Sequence, residues 1–455
     1  MIFSSITFLF FFLPICLFCY YILPNKLRNI VLLFFSLIFY SWGEPIYIIL
    51  MIFSSIVDYS IGLIIDRNRC NYKSKLALFS SIFINLSLLS LFKYSDFLIF
   101  NINHILNTNL KTLNFPLPIG ISFYTFQTMS YAIDVYRNVV PVQRNFISFS
   151  TYVCLFPQLV AGPIVKYQDV ANQLDYRIQT IENFSFGVYR FVNGLFKKVV
   201  IANNVGYIWS QIKVLSYSDI SMLTAWLGII SFAFQIYYDF SGYSDMAIGL
   251  GKMFGFDFIE NFNYPYISQS ISEFWRRWHI SLGEWFKNYV YIPLGGNRKG
   301  KLRWILNIFI VWCLTGFWHG ASYNFIIWGL YFGFVLMLEK IFLFNILSKF
   351  PLVLRHIYVV ITILISWVIF EFEDYTKILN YLSLMFLNKN LFIDKTFVYF
   401  LLPNLILYLI AILGSTPIFN KIKYRLKILF VILGLILSVS FLIDSTFNPF
   451  LYFRF

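Results

Sequence analysis

Charge is what this chain has least of. Asp, Glu, Lys and Arg together make up 12% of its 455 residues, about half the share in an ordinary soluble protein. Acids are rarer than bases, 21 against 35. That scarcity excludes a soluble globular fold and any solvated acidic domain. Low-complexity linkers and internal repeats are also missing, so an inverted-repeat transporter architecture gets no support. The five cysteines, Cys16, Cys19, Cys70, Cys154 and Cys313, are scattered, four of them in apolar runs. Such spacing fits neither a disulfide framework nor a metal site. No Ser or Cys stands in a G-x-S-x-G context, which leaves no nucleophile elbow.

What is present is apolar surface: 59% of residues are hydrophobic and 22% aromatic. The joint abundance of Phe, Ile, Asn and Lys reflects AT-rich coding as much as physical need, so aromatic content alone decides nothing. Length decides more. At about 20 apolar residues per crossing, runs near 2–23, 29–42, 45–65, 76–93, 116–135, 147–165, 184–209, 221–240, 304–318, 322–341, 355–370, 397–413 and 427–443 predict an all-α polytopic membrane protein. About eleven to thirteen membrane segments are expected. No base precedes the first run and no small-residue cleavage site follows it, so it reads as a retained helix. The formal charge of +14 is read as cytoplasmic anchoring, not as nucleic-acid binding. Lys26 and Arg28 follow the first run, SWGEP at 41–45 has no base, and DRNRCNYKSK at 66–75 carries Arg67, Arg69, Lys73 and Lys75. That alternation puts the N-terminus outside and Cys70 in the cytoplasm.

Two stretches break the apolar pattern. ISEFWRRWHISLGEWFKNYVY, 271–291, has the length of a crossing but carries Glu273, Arg276, Arg277, Glu284 and Lys287, each costly at the bilayer centre. At 100° per residue, Ile271, Phe274, Trp278, Leu282, Trp285 and Tyr289 form one stripe with Arg276, Gly283 and Lys287 opposite. A helix lying along the interface is expected, with His279 at the edge of its stripe. The second stretch runs from Leu302 to Leu338 with no acid and a single base. As one helix it would measure about 55 Å, nearly twice a hydrocarbon core of roughly 30 Å. It must break, and Thr315, Gly316, Gly320, Ala321 and Ser322 mark the place. His319 lies inside that break, where non-helical backbone survives only if packed in protein or lining a cavity. A neutral imidazole there suits removal of a proton from a hydroxyl or thiol during acyl transfer. The bland alternative is a histidine that hydrogen-bonds a carbonyl freed at the break. His104 and His356 read as solvated loop residues.

Other motifs carry two readings each. Asp239 and Asp245 in YYDFSGYSDMAIG sit among hydroxyls that would satisfy buried carboxylates, and structural networking is favoured over catalysis. PLPIG (116–120) and LVAGP (159–163) mark kinks. In PLGGNRKG (293–300), Arg298 and Lys299, with Lys301 and Arg303, suit either phosphate binding or positive-inside anchoring.

These residues carry a resemblance. PLPIGISFYTFQTMSYAIDVYR (116–137), FPQLVAGPIVKY (156–167), YYDFSGYSDMAIGLGKMFGFDFIENFNYPY (237–266), SISEFWRRWHISLGEWFKNYVYIPLGGNRKG (270–300), LTGFWHGASYNFIIWGLYFG (314–333) and the terminal NPFLYFRF (448–455) resemble the membrane-bound O-acyltransferase (MBOAT) family. The likeness is to its bacterial alginate O-acetylation branch and, more distantly, to the teichoic acid D-alanylation proteins. It implies one transmembrane domain over 1–455: N-terminal helices in 1–110, a motif-bearing core in 111–341 and C-terminal helices in 342–455, arranged around a central funnel. It implies that His319 is catalytic and that His279 is the family's second characteristic histidine. It further implies acetyl-CoA as the cytoplasmic acyl donor, with no bound cofactor and no metal, in a multi-pass protein of the bacterial cytoplasmic (inner) membrane lying among membrane lipid. The expected acceptor is a hydroxyl of a cell-surface polysaccharide, reached through a secreted or membrane-anchored SGNH hydrolase-like acetyltransferase. D-alanyl transfer to teichoic acids and non-enzymatic glycan transport are the alternatives.

Overall fold

The structure, a computed structural model, describes residues 1–160, 162–217, 219–387, 392–421, 424–444 and 447–449. Residues 450–455 of the terminal motif lie outside them, as does Ala161 of LVAGP. The described residues form helices and no strand, as backbone in lipid requires when it must satisfy its own hydrogen bonds. Two compact units result, Met1–Phe191 with Tyr243–Glu260, and Val192–Gly242 with Asn261–Phe455.

Among the described residues, five helices are long and apolar enough to cross a membrane: Ile48–Arg67, Tyr72–Leu106, Lys301–His319, Tyr323–Leu347 and Leu352–Glu371. Lys395–Leu401 and Leu405–Gly414 make a sixth if their 63° bend is one broken span, and Phe8–Ile22 and Ile428–Asp444 are shorter apolar helices. Not every apolar run expected from the sequence therefore becomes a long apolar helix. The run at 116–135 shows why. Its helix starts only at Ile121, after Gly120 in the left-handed region (φ +76°), and buries every residue to Val135 except Ile133. Apolarity there serves protein packing.

In the first unit, polar cross-links join this central helix to its neighbours. Ser81 donates to Asp58 Oδ1 at 2.5 Å, Asn85 to Asp58 Oδ2 at 2.8 Å, and Thr128 to Asn85 Oδ1 at 3.1 Å. In the same unit Phe3, Phe8, Phe12, Phe39 and Phe156 interlock as ring pairs. The second unit packs Trp209, Phe232, Tyr237, Trp278, Trp328, Phe332 and Trp367 into one core. That core holds both candidate histidines.

Candidate active site

The long apolar stretch breaks where its length required. Lys301–His319 is helical, Gly320 and Ser322 are extended, and the chain re-enters helix at Tyr323. The two arms then fold onto each other at two glycines. A Cβ on Gly316 would stand 2.1 Å from the Phe325 carbonyl oxygen, and one on Gly329 would stand 2.2 Å from that of Trp312. Backbone-to-backbone contact of this kind needs small residues, and it fixes the last turn before His319. Asn324, at the start of the second arm, donates to the carbonyls of Phe370 at 2.9 Å and Ile369 at 3.3 Å. That tether brings the end of Leu352–Glu371 to the break. His319, 4% exposed, meets Trp318, Trp328 and Phe370 edge to face, with ring centroids 5.0, 5.1 and 5.5 Å away.

His279 stands at a second break. The interfacial segment is two helices, Ile271–Arg277 and Ile280–Phe286, rather than the continuous one its pattern suggests. His279 joins them in the left-handed region, φ +44°. The freed backbone groups are taken up by 261–263: Ile280 N donates to Asn261 O at 3.0 Å and Asn263 N to Arg277 O at 2.9 Å. The turn drives the imidazole inward, so His279 is 2% exposed instead of sitting at the edge of a stripe. The stripe itself holds. Ile271, Phe274, Trp278, Leu282 and Trp285 are buried, while Arg276, Gly283 and Lys287 are exposed. Glu339 anchors the segment by accepting from Ile271 N at 2.6 Å and Ser272 N at 2.8 Å.

The side chain of Asn261 sets the chemistry of His279. Its Oδ1 accepts from Ser281 N at 3.2 Å and Ser281 Oγ at 2.9 Å, and lies 3.1 Å from His279 Nδ1. A backbone N–H can only donate, so the oxygen faces this way and Nδ1 carries the proton. Nε2 is left with the lone pair. Burial, and then the proximity of His319, push the His279 imidazole well below its ordinary pKa and hold it neutral. Phe240 closes one side at 4.6 Å and Trp318 another at 6.0 Å. One indole thus touches both imidazoles, which the sequence separates by forty residues.

The remaining candidates separate from this pair. Asp239 forms a buried ion pair with Lys198 at 2.6 Å, both side chains 2% exposed, and Lys198 also donates to Asn203 at 3.0 Å and to the Pro449 carbonyl. Asp245 pairs with Arg190 at 2.7 Å, and Arg190 also binds Glu260 at 2.5 Å. Both carboxylates are structural partners of cations. Arg298 and Lys299 lie on an exposed loop shaped by Gly295, Gly296 and Gly300 at positive φ. Asn307 pins that loop through the Gly296 carbonyl at 2.9 Å. His104 is exposed, and His356 Nδ1 lies 3.3 Å from the Ser268 carbonyl. Sequence reasoning missed Asn261, Asn324 and Glu339. Each is a buried polar residue in an apolar setting, and that was the one signal available.

An open cleft of about 680 Å³ is lined by Lys213, Tyr217, Glu371, Phe372, Asp374 and Lys377 among others, beginning one residue beyond the Phe370 ring that packs on His319. Glu371 is held by Lys213 at 2.5 Å and by Trp209 Nε1 at 3.2 Å.

Two buried histidines thus stand at breaks in the helices of an all-α membrane protein, and burial holds one of them neutral. Residues 137–383 match MBOAT, the membrane-bound O-acyltransferase family, and the chain belongs to that family of O-acyltransferases. It is 42% identical to the "Probable alginate O-acetylase AlgI" of Azotobacter vinelandii, over 82% of this chain and 76% of that one. To the "Peptidoglycan O-acetyltransferase" of Helicobacter pylori it is 35% identical, over 84% of this chain and 79% of the relative. To the "Teichoic acid D-alanyltransferase" of Bacillus subtilis it is 28% identical, over 47% and 56% respectively.

Proposed function

We propose that this O-acyltransferase moves an acetyl group from acetyl-CoA, on the cytoplasmic side of the bacterial inner membrane, to a hydroxyl of a cell-surface polysaccharide. The observation that carries the reading is the pair of buried histidines bridged by Trp318. In the transfer step, His319 takes the proton of the attacking hydroxyl as its oxygen bonds to the thioester carbonyl. The C–S bond then breaks and the proton passes to the departing thiolate. His279, whose Nδ1 is held by Asn261, orients the donor or acceptor. Relatives named for acetylation match at higher identity and over more of the chain than the D-alanyltransferase does, which favours acetyl as the group moved.

The polysaccharide is engaged through a secreted or membrane-anchored SGNH hydrolase-like acetyltransferase, whose serine supplies the nucleophile lacking here. Arg298 and Lys299 meet the phosphates of coenzyme A. The test is the O-acetyl content of surface glycans in a deletion strain complemented with wild type or His319→Ala. Loss of acetate with the variant, at matched membrane levels, is expected. Near-normal acetylation would remove His319 from the mechanism. Deleting the partner should abolish glycan acetylation while the purified membrane protein still hydrolyses acetyl-CoA slowly. Full glycan acetylation by this protein alone would overturn the relay.

A further inference from the structure

Three arginines of the first unit are half-buried, and one of them, Arg190, has two acids, Asp245 and Glu260. Arg28 and Arg177 are the other two. Both are half-buried, and neither has an ion-pair partner among the described residues. Arg28 opens the helix Arg28–Ser41, which has no side-chain cap and no acid in its first turn. A cation at that end of a helix opposes the helix dipole, so two unfavourable positive charges coincide there. Lys26 stands two residues earlier and is exposed.

The two guanidiniums share a floor of aromatic rings. Arg28 lies 5.0 Å from the Tyr20 ring centre and 5.9 Å from that of Tyr21. Arg177 lies 4.5 Å from Phe256 and 5.9 Å from the same Tyr20. Hydrogen bonds hold both heads in place. Arg177 Nε donates to the Tyr20 hydroxyl at 3.2 Å, and its Nη1 to Asn29 Oδ1 at 2.7 Å and the Gln173 carbonyl at 3.0 Å. Gln179 joins the pair, accepting from Arg28 Nη1 and donating to the Tyr20 hydroxyl at 3.0 Å. Tyr20 is anchored beneath through the Phe254 carbonyl at 2.6 Å. Arg28 Nε is buried with no acceptor. Burial and the Arg28 charge disfavour the Arg177 cation, offset in part by the Tyr20 hydroxyl. Neither guanidinium loses its proton in a protein. An oxyanion would relieve both charges.

We propose that Arg28 and Arg177 form a site for a phosphate group at the cytoplasmic face, the side on which basic loop residues place them. Planar guanidiniums fit phosphate oxygens two at a time, and the rings below keep them from folding away. Phosphate at this face comes from two sources, an anionic phospholipid headgroup or coenzyme A. The existence of the site does not rest on the acyl-transfer reading, because binding is read by unfolding; turnover serves only to tell the two sources apart.

The experiment uses the full-length protein in an uncharged detergent and follows thermal unfolding by tryptophan fluorescence. Phosphatidylglycerol is titrated against an uncharged glycolipid, and coenzyme A against pantetheine, for wild type, Arg28→Gln and Arg177→Gln. One of the two phosphate-bearing probes should raise the wild-type midpoint, with its phosphate-free counterpart inert. The concentration needed should rise at least tenfold in either variant. A response to phosphatidylglycerol alone, with KM for acetyl-CoA unchanged, assigns the site to lipid. A response to coenzyme A, with KM raised and kcat held, assigns it to the donor. Arg28→Lys keeps the charge and loses the fork, so it reads the same comparison if Arg28→Gln does not accumulate; it should bind more weakly than wild type. If neither probe shifts wild type, or the variants respond as wild type does, the proposal is overturned.

Discussion

Replacing Gly316 by Ala adds one carbon at the crossing that sets the position of His319. Alanine is better than glycine inside a helix by about 1 kcal/mol, so any loss must come from packing. The added Cβ would stand 2.1 Å from the Phe325 carbonyl oxygen, where carbon and oxygen ordinarily approach to about 3.3 Å. The neighbour is backbone, so no rotamer relieves the clash and the arms must part by about 1 Å. His319 lies three residues further along the same helix, next to the extended Gly320, and moves with it. A misplacement of that size costs about 10²-fold in rate. Gly316→Ala is therefore expected to lower kcat/KM for acetyl transfer by about 10² while inserting into the membrane at the wild-type level. Gly329→Ala, 2.2 Å from the Trp312 carbonyl oxygen, should match it. Gly333→Ala, 3.3 Å from a side-chain carbon, should lose far less, and exposed Gly283→Ala, with nothing within 4 Å, should lose nothing. Initial rates at immunoblot-matched amounts give the comparison. Gly316→Ala within threefold of wild type would refute the claim that this crossing positions the histidine.

Three other expectations follow from the geometry. His279 is held neutral by burial, whereas an unfolded histidine protonates below about pH 6.5. Its contribution to stability is therefore present above that pH and is lost as pH falls through it; His279→Gln should flatten the drop in melting midpoint between pH 7.5 and 5, and an unchanged slope would rule the account out. Removing one member of the buried Lys198–Asp239 pair should cost about 3–5 kcal/mol, whereas Lys198→Met combined with Asp239→Leu should restore much of the stability together with acyl transfer; a stable but inactive double variant would give Asp239 a catalytic role instead. Cys70 is exposed in a basic loop, so a membrane-impermeant thiol reagent should label it in inverted vesicles and not in intact spheroplasts, and the reverse pattern would invert the topology.

What the sequence made legible divides along a physical line. The break before Tyr323 followed from length alone, because a 37-residue apolar stretch cannot be one crossing, and only one cluster of small residues offers a place to bend. The buried stripe through Ile271, Phe274 and Trp278 followed from periodicity, which is local. The turn at His279 did not follow from either. It depends on Asn261 supplying both a backbone carbonyl and a side-chain oxygen from eighteen residues away, and on Glu339 capping the preceding helix from sixty-eight residues away. Not every apolar run became a long apolar helix, for a related reason. An apolar run looks the same whether it faces lipid or protein, and the helix at Ile121–Tyr136 faces protein on every side.

The site's two histidines therefore differ in how they are specified. His319 is placed by a local necessity, the end of an over-long apolar helix, refined by two glycines. His279 is placed by long-range polar contacts that also fix its tautomer. Substitutions near 315–320 should act through position, and those at Asn261 through the protonation and orientation of His279. The first group is expected to lower the rate at all pH values, the second to change the shape of the pH profile, because only Asn261 makes the hydrogen bond that assigns the proton to Nδ1.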